Sequence, residues 1–474
     1  MFNIKKLKQQ ESLKDKCGVF GIYGKGEDVA RISFFGLYSL QHRGQESAGI
    51  TVADGKNLKT VKGLGMVSAV FNEEKIKSLK GFAAIGHTRY STTGGNKLCN
   101  VQPVVINSKN EDFALAHNGN IINAMILAHQ LPSDVKLTST NDTEIMGWVI
   151  KNSIGKNWEE KILSSFNRFQ GAFSIVALTK NKLFAFRDTY GFRPLVLGRL
   201  NGSYIVCSET CALDTTGAKY VRDVAPGEMI VIDSLGIRAI GKARSLKKSF
   251  CLFEYVYLAR PDSIFNKQLV HQVRQRSGEL LSHESPIGAD LVVAVPDSGT
   301  SAAIGYSKAS GIPYGEVLIK NRYIGRTFIQ PEHRIREMGV RIKFNPLKQI
   351  VKGKRIIIVD DSIVRGTTIK KIVKLLKDAG AKKIHVRVCS PPVTHPCYFG
   401  IDTPDIKQLI AAKMKVKEIE RFIGADSLVY LNLDGLIKAS RIRSNILCSA
   451  CFDGKYPMPV EGGFRKDIFE KNYL

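Results

Sequence analysis

The ten residues from Val359 to Thr368, VDDSIVRGTT, hold the strongest local signal in the chain. The run RIIIV before them reads as a buried strand. Asp360 and Asp361 then stand at its C-terminal end, where open parallel sheets bind ligands. Ser362, Gly366, Thr367 and Thr368 lead into a helical pattern. Small hydroxyl residues and a glycine let backbone N–H groups converge on an anion. A phosphate suits that loop, and the carboxylates suit ribose hydroxyls or a magnesium ion. An N-cap after a strand would explain two of these residues but not ten in order.

Other segments carry chemistry only in company. Ile319–Pro331 brings Lys320, Arg322 and Arg326 between two αβ units, where a basic segment can close over a pyrophosphate and exclude water. By itself it reads as a solvated basic loop. Cys17 opens CGVFGIYG; alone, such a residue is more often a small buried side chain than a nucleophile. LQHRGQESAGI (Leu40–Ile50), GHTRYSTTG (Gly86–Gly94), ALAHNGNI (Ala114–Ile121) and STNDTE (Ser139–Glu144) change that balance. Asn118-Gly119 in isolation is a plain turn signal. Cys448 and Cys451 form a C-x₂-C pair near the end.

The elements that must position these residues fall into two groups. At 474 residues the chain exceeds the usual single domain. Residues 17–245 read as many short strands (CGVFGIYG, FALAHNGNI, FSIVAL, LFAFRD, YIVCSE and MIVIDS among them) interrupted by helices near Thr143–Ile150 and Glu159–Phe166. That is a mixed, largely antiparallel α+β pattern. The basic stretch Gly241–Lys248 marks the boundary, and residues 246–474 form the second unit. There DLVVAV, RIIIVDD and KIHVRVCS alternate with helices, the βαβ grammar of a parallel sheet. Ile369, Ile372, Val373 and Leu376 fall at helical spacing. The tail after Asp405 reads as mainly helical.

Seventy basic against 43 acidic residues give a net charge of +27. Such a charge suits nucleic acid or a phosphorylated small substrate. The lysines are scattered rather than massed, so no nucleic-acid partner is expected. No apolar run reaches the roughly 18 residues of a spanning helix, so no membrane association is expected. Nine cysteines, an odd number in a large chain, point to a reducing compartment. Residues 1–16 are charged and lack an apolar core, unlike a secretory signal. A cytoplasmic location is expected.

The segments around Cys17, Arg43, Arg89, Asn118 and Asp142 closely resemble glutamine amidotransferases of the N-terminal-nucleophile (Ntn) class. VDDSIVRGTT resembles the phosphoribosyl pyrophosphate (PRPP) signature of type I phosphoribosyltransferases, and Val293–Tyr306 their pyrophosphate loop. In this order on one chain, they resemble the glutamine phosphoribosylpyrophosphate amidotransferase family, in its leader-peptide and iron–sulfur subgroup. The resemblance implies an Ntn glutaminase domain of αββα sandwich type, then an α/β phosphoribosyltransferase domain with a parallel sheet. It implies a propeptide, residues 1–16, whose removal frees the α-amine of Cys17 to take the thiol proton. Arg89 then pairs with the glutamine carboxylate and Asp142 with its ammonium; Arg43 and the Gly44 backbone share the site, and Asn118 and Gly119 form the oxyanion hole.

The same resemblance implies that Asp360 and Asp361 bind ribose and that Ser362, Arg365, Gly366, Thr367 and Thr368 cradle the 5′-phosphate. Lys320, Arg322 and Arg326 then serve PRPP, and Ser298 joins the two aspartates at magnesium. Four thiolates at Cys251, Cys397, Cys448 and Cys451 suit a [4Fe–4S] cluster or structural zinc. The subgroup carries [4Fe–4S] at these positions, in a structural role. The implied reaction is the first committed step of purine synthesis: PRPP, glutamine and water give 5-phosphoribosylamine, glutamate and pyrophosphate. Purine nucleotide inhibition and a homotetramer are also implied. Two other readings remain: a PRPP-fold regulator that binds nucleic acid, and an enzyme that is only a glutaminase.

Overall fold

Small and apolar residues in the strands Gly18–Tyr23 and Phe113–Ile121 explain how two sheets come face to face. The computed structural model describes residues 17–90, 95–108, 111–243, 247–321, 344–401, 403 and 405–460. The expected propeptide, Arg322 and Arg326 lie outside them. Val19 and Tyr23 face inward, against Ala114, Ala116, Val176 and Leu178 of the opposing sheet. Phe20 and Ile22 point the other way, under the helix Val29–Ser39. Phe113 and Leu115 likewise face helices Asp142–Lys151 and Trp158–Phe166. Both faces of each central strand are buried, so these strands read as apolar runs rather than alternating patterns.

The first sheet has seven strands, in the order Lys219–Asp223, Val196–Leu200, Ser203–Cys207, Gly18–Tyr23, Ala83–Arg89, Ser47–Ala53 and Leu58–Leu64. The second has six: Gly236–Lys242, Glu228–Asp233, Leu183–Arg187, Gly171–Leu178, Phe113–Ile121 and Val104–Ile106. All neighbours are antiparallel. With helices outside both sheets, the layering is the expected αββα. Asn118-Gly119 lies inside a strand, paired with Phe173 and Ser174, and makes no turn.

The second unit has a parallel sheet of Leu291–Ala294, Arg355–Asp360, Lys383–Val388 and Ser427–Tyr430. Helices Val270–Glu284 and Thr300–Ser310 cover one face. Thr367–Asp378 covers the other with Ile369, Ile372, Val373 and Leu376. The tail is less helical than its sequence suggests. Ser427–Tyr430 adds the fourth strand, and four residues are too few to show a period. Farther on, Leu447–Cys448 pairs in parallel with Phe250–Cys251, so the tail closes back on the start of the unit.

Candidate active sites

Cys17 is the residue before the central strand of the first sheet, and it is buried. Its Sγ lies 3.5 Å from the Tyr90 carbonyl oxygen. Burial pushes the thiol up to about 11, against the pull of the Arg89 guanidinium nearby. Arg89 ends the neighbouring strand and donates to Gly95 O at 3.2 Å. Asp142 starts a helix because Asn141 caps it, accepting the Glu144 N–H at 2.9 Å. The Glu144 carboxylate reaches back to the Thr138 and Ser139 N–H groups at 2.9 and 2.7 Å. Asp142 accepts the Ile121 N–H at 3.1 Å, and His117 Nδ1 stands 3.6 Å away. Burial alone would raise the Asp142 carboxyl; His117, the Ile121 N–H and Arg89 together hold it below the usual range. A buried cation and a buried anion thus both lie within electrostatic reach of one thiol.

Asn118 shares the Ser208 hydroxyl (3.5 Å) with the Val19 N–H (2.9 Å), which ties it to the strand that Cys17 begins. The Asn118 Oδ1 is buried with no partner among the described residues. Gly119 has φ 155°, and a Cβ there would stand 1.9 Å from Ala172 O. Gly44 is equally constrained: a Cβ would lie 2.6–2.7 Å from the Thr88–Arg89 backbone.

Arg43 sits beside Cys17 and is held by residues of the chain itself. It donates to Cys17 O at 3.0 Å, to Glu209, and to both carboxylate oxygens of Glu254 at 3.1 Å. Glu254 also pairs with Arg193 at 3.4 Å. The side chains of these four residues are wholly buried. Sequence reading assigned no role to Ser208, Glu209, Glu254 or Arg193, and their convergence is visible only through this geometry.

In the second unit, Asp360 ends the strand Arg355–Asp360 and Asp361 follows it, beside the end of Leu291–Ala294. A Cβ on Gly299 would stand 2.5 Å from Val359 O, so the Pro296–Gly299 turn packs onto the aspartate strand. Ser298 and Ser362 both hydrogen-bond Asp361. Burial raises both carboxyls, and Asp361 raises Asp360 further. Gly366 takes φ 74° to begin the helix Thr367–Asp378, and the buried Thr367 Oγ1 has no partner among the described residues. Lys320 forms an ion pair with Asp297, and Arg365 bonds Gln408. Arg274, another residue outside the motifs, acts electrostatically on Asp361 and bonds Tyr255 O and Ala259 O at 2.8 Å.

Cys251, Cys397, Cys448 and Cys451 line one cavity, with Arg193 and Tyr456. Burial raises all four thiols. Among the described residues no group of three or more His, Cys, Asp or Glu side chains is arranged to hold a metal ion. No helix among them is long and apolar enough to cross a membrane.

Comparison with known proteins follows the same division. The glutamine amidotransferase domain family matches residues 87–215, and the phosphoribosyl transferase domain family matches 262–391. The chain is 50% identical to the amidophosphoribosyltransferase of Synechococcus elongatus, covering 96% of this chain and 94% of that one. It is 45% identical to that of Bacillus subtilis, covering 96% of each. Among solved structures, it is similar to Bacillus subtilis glutamine PRPP amidotransferase complexed with ADP and GMP. The TM-score there is 0.89 at 44% identity, over 94% of this chain and 98% of that one.

Proposed function

The chain belongs to the amidophosphoribosyltransferase family, and we propose that Cys17 releases ammonia from glutamine while the Asp360–Thr368 loop holds the PRPP that receives it. The overall reaction converts PRPP, glutamine and water to 5-phosphoribosylamine, glutamate and pyrophosphate. One observation carries the assignment of the first half. The thiol of Cys17 has both Arg89 and Asp142 in reach, a buried pair matched to the two charges of a free amino acid.

Arg89 holds the glutamine carboxylate and Asp142 its ammonium, with the backbone of Gly44, packed on the Thr88–Arg89 strand, beside them. A thiol near 11 carries about one part in ten thousand thiolate at neutral pH, so it needs a base during attack. The α-amine of Cys17 serves once residues 1–16 are removed, since it titrates near pH 8 when free. It takes the thiol proton as sulfur bonds to the amide carbon, and that proton goes to the departing ammonia. Asn118 Nδ2 and the Gly119 N–H receive the oxyanion. Arg43 is a positioning residue: its bond to Cys17 O orients the nucleophile.

Asp360 and Asp361 take the ribose hydroxyls, and Ser362, Arg365, Gly366, Thr367 and Thr368 take the 5′-phosphate. Two raised, neighbouring carboxyls and the orphaned Thr367 hydroxyl fit a site completed by a cation and an anionic ligand. Magnesium held by Ser298, Asp360 and Asp361 would supply charge neutralisation to the leaving pyrophosphate. Lys320, with Arg322 and Arg326, completes the pyrophosphate side. The work of these residues is positioning C1 and shielding it from water.

Four thiols lining one cavity fit a group ligated by thiolates. The [4Fe–4S] cluster is chosen over zinc on the resemblance to the subgroup that carries one at these four positions. Its role is structural, at a joint near residue 245 between the glutaminase unit, 17–245, and the phosphoribosyltransferase unit, 246–474. The nucleotides on the Bacillus subtilis structure support purine nucleotide inhibition. A homotetramer and a cytoplasmic location complete the reading.

An anaerobic assay with glutamine, magnesium and PRPP, following glutamate and pyrophosphate together, tests it. Equal, PRPP-dependent release is expected from protein whose mass begins at Cys17. Fully active protein that still starts at Met1 would refute the role of the α-amine.

A further inference from the structure

The loop Cys397–Ile401 belongs to the second unit, yet three consecutive residues of it bear on the site of the first. Tyr398 O accepts Asn120 Nδ2 at 2.8 Å. Phe399 O accepts Arg193 Nε at 2.9 Å, and Arg193 Nη2 also bonds it. The Phe399 ring stacks on Phe192 with centroids 4.3 Å apart. Gly400 has φ 99°, and a Cβ there would lie 3.0 Å from Gly119 C, 3.1 Å from its O and 3.2 Å from its Cα. Gly119 therefore has two backbone neighbours at van der Waals range, Ala172 from its own sheet and Gly400 from 281 residues downstream.

We propose that Tyr398, Phe399 and Gly400 are positioning residues for glutamine hydrolysis, and that their backbone fixes the orientation of the Gly119 N–H. This rests on the reading of Asn118 and Gly119 as the oxyanion hole. The physical reason is the steepness of oxyanion stabilisation. A donor that misses the developing charge costs about 10²–10³ in kcat, whereas the ground-state substrate is held elsewhere, by Arg89 and Asp142. A glycine in the left-handed region, against another glycine, is the arrangement that lets two main chains meet this closely. The anchors on either side of Gly400 keep the contact in register: Tyr398 holds the strand one residue past Gly119, and Phe399 is clamped by a fully buried arginine.

Gly400→Ala in the full-length, cofactor-loaded enzyme tests this directly. The added methyl must push either the loop or Gly119. Glutamine-dependent kcat is expected to fall at least about 10-fold, with KM for glutamine changed less than about twofold. Phosphoribosylamine formation with ammonium chloride as nitrogen source should match the parent, because that route bypasses Gly119. Asn120→Ala, which adds no bulk and removes the Tyr398 anchor, should show the same pattern to a smaller degree. Parent-like kcat in both variants overturns the inference. So does a fall in kcat accompanied by equal losses in ammonia-dependent rate, which marks general destabilisation. A parent enzyme that hydrolyses no glutamine at all would instead overturn the reading of Cys17 and Gly119, and this inference with it.

Discussion

Glu254→Gln should destabilise the protein out of proportion to its size. The substitution keeps the shape and removes one negative charge from a group of four buried side chains, Arg43, Arg193, Glu209 and Glu254. In the parent, two guanidinium groups face two carboxylates and the formal charges cancel. The variant leaves Arg193 without its carboxylate and Arg43 with Glu209 alone. Breaking a buried pair by removing one partner costs about 3–5 kcal/mol, because an uncompensated charge stays out of water. At about 2.1 cal/mol/K per residue, 474 residues unfolding as one unit give about 1 kcal/mol/K. The expected fall in Tm is therefore about 3–5 °C, and about twice that if only half the chain unfolds cooperatively. Scanning calorimetry at pH 7.5 reads it. Adding Arg193→Met restores neutrality, so the double variant should recover part of the loss. A fall below about 1 °C for Glu254→Gln, or additive losses in the double variant, would refute the view of these four residues as one charge-balanced unit.

Other expectations concern the two sites. While residue 16 remains attached, alkylation of Cys17 by iodoacetamide should rise about tenfold per pH unit between pH 7.5 and 9.5, since its thiol lies near 11. A plateau below pH 9 in peptide mass spectrometry would contradict that. Asp360 and Asp361 both have raised carboxyls, so the folded state binds protons that the unfolded state has lost, and their contribution to stability falls as pH rises above about 4. Asp361→Asn should therefore raise the ligand-free Tm at pH 7.5 by about 1–3 °C while cutting pyrophosphate release at least about 100-fold; a lower Tm would count against the carboxylate repulsion. Metal analysis of anaerobically purified protein should find about four irons and four sulfides per chain. One zinc in their place would overturn the cluster.

Much of this was readable from the amino acids, for a definite reason. The Asp360–Thr368 loop is a short segment whose chemistry is local, a strand end and a turn into a helix, whereas Cys17, Arg89 and Asp142 are legible only through the family resemblance of their segments. The αββα layering came from resemblance rather than periodicity, because strands such as Gly18–Tyr23 are buried on both faces and show no alternation. Arg43 is named by the motif, but the residues that hold it are not. Its contacts with Glu209 and Glu254 span 166 and 211 residues, and no local pattern records them. Ser208 and Gly400 escaped for the same cause. The strand Ser427–Tyr430 was hidden by its brevity among helices.

The parallel seam between Phe250–Cys251 and Leu447–Cys448 has a consequence in time. On the ribosome the first unit can fold early, but the seam waits for the tail. At about 5–20 residues per second, the roughly 200 intervening residues take about 10–40 s to appear. During that interval Cys251 has no neighbour from the tail, and until residue 400 is made Gly119 has no Gly400 against it. A nascent or truncated chain thus holds a glutaminase fold whose last backbone contact is still unmade. If Gly400 orients the Gly119 N–H, as proposed, hydrolysis of glutamine reaches its full rate only once the chain has been made past residue 400.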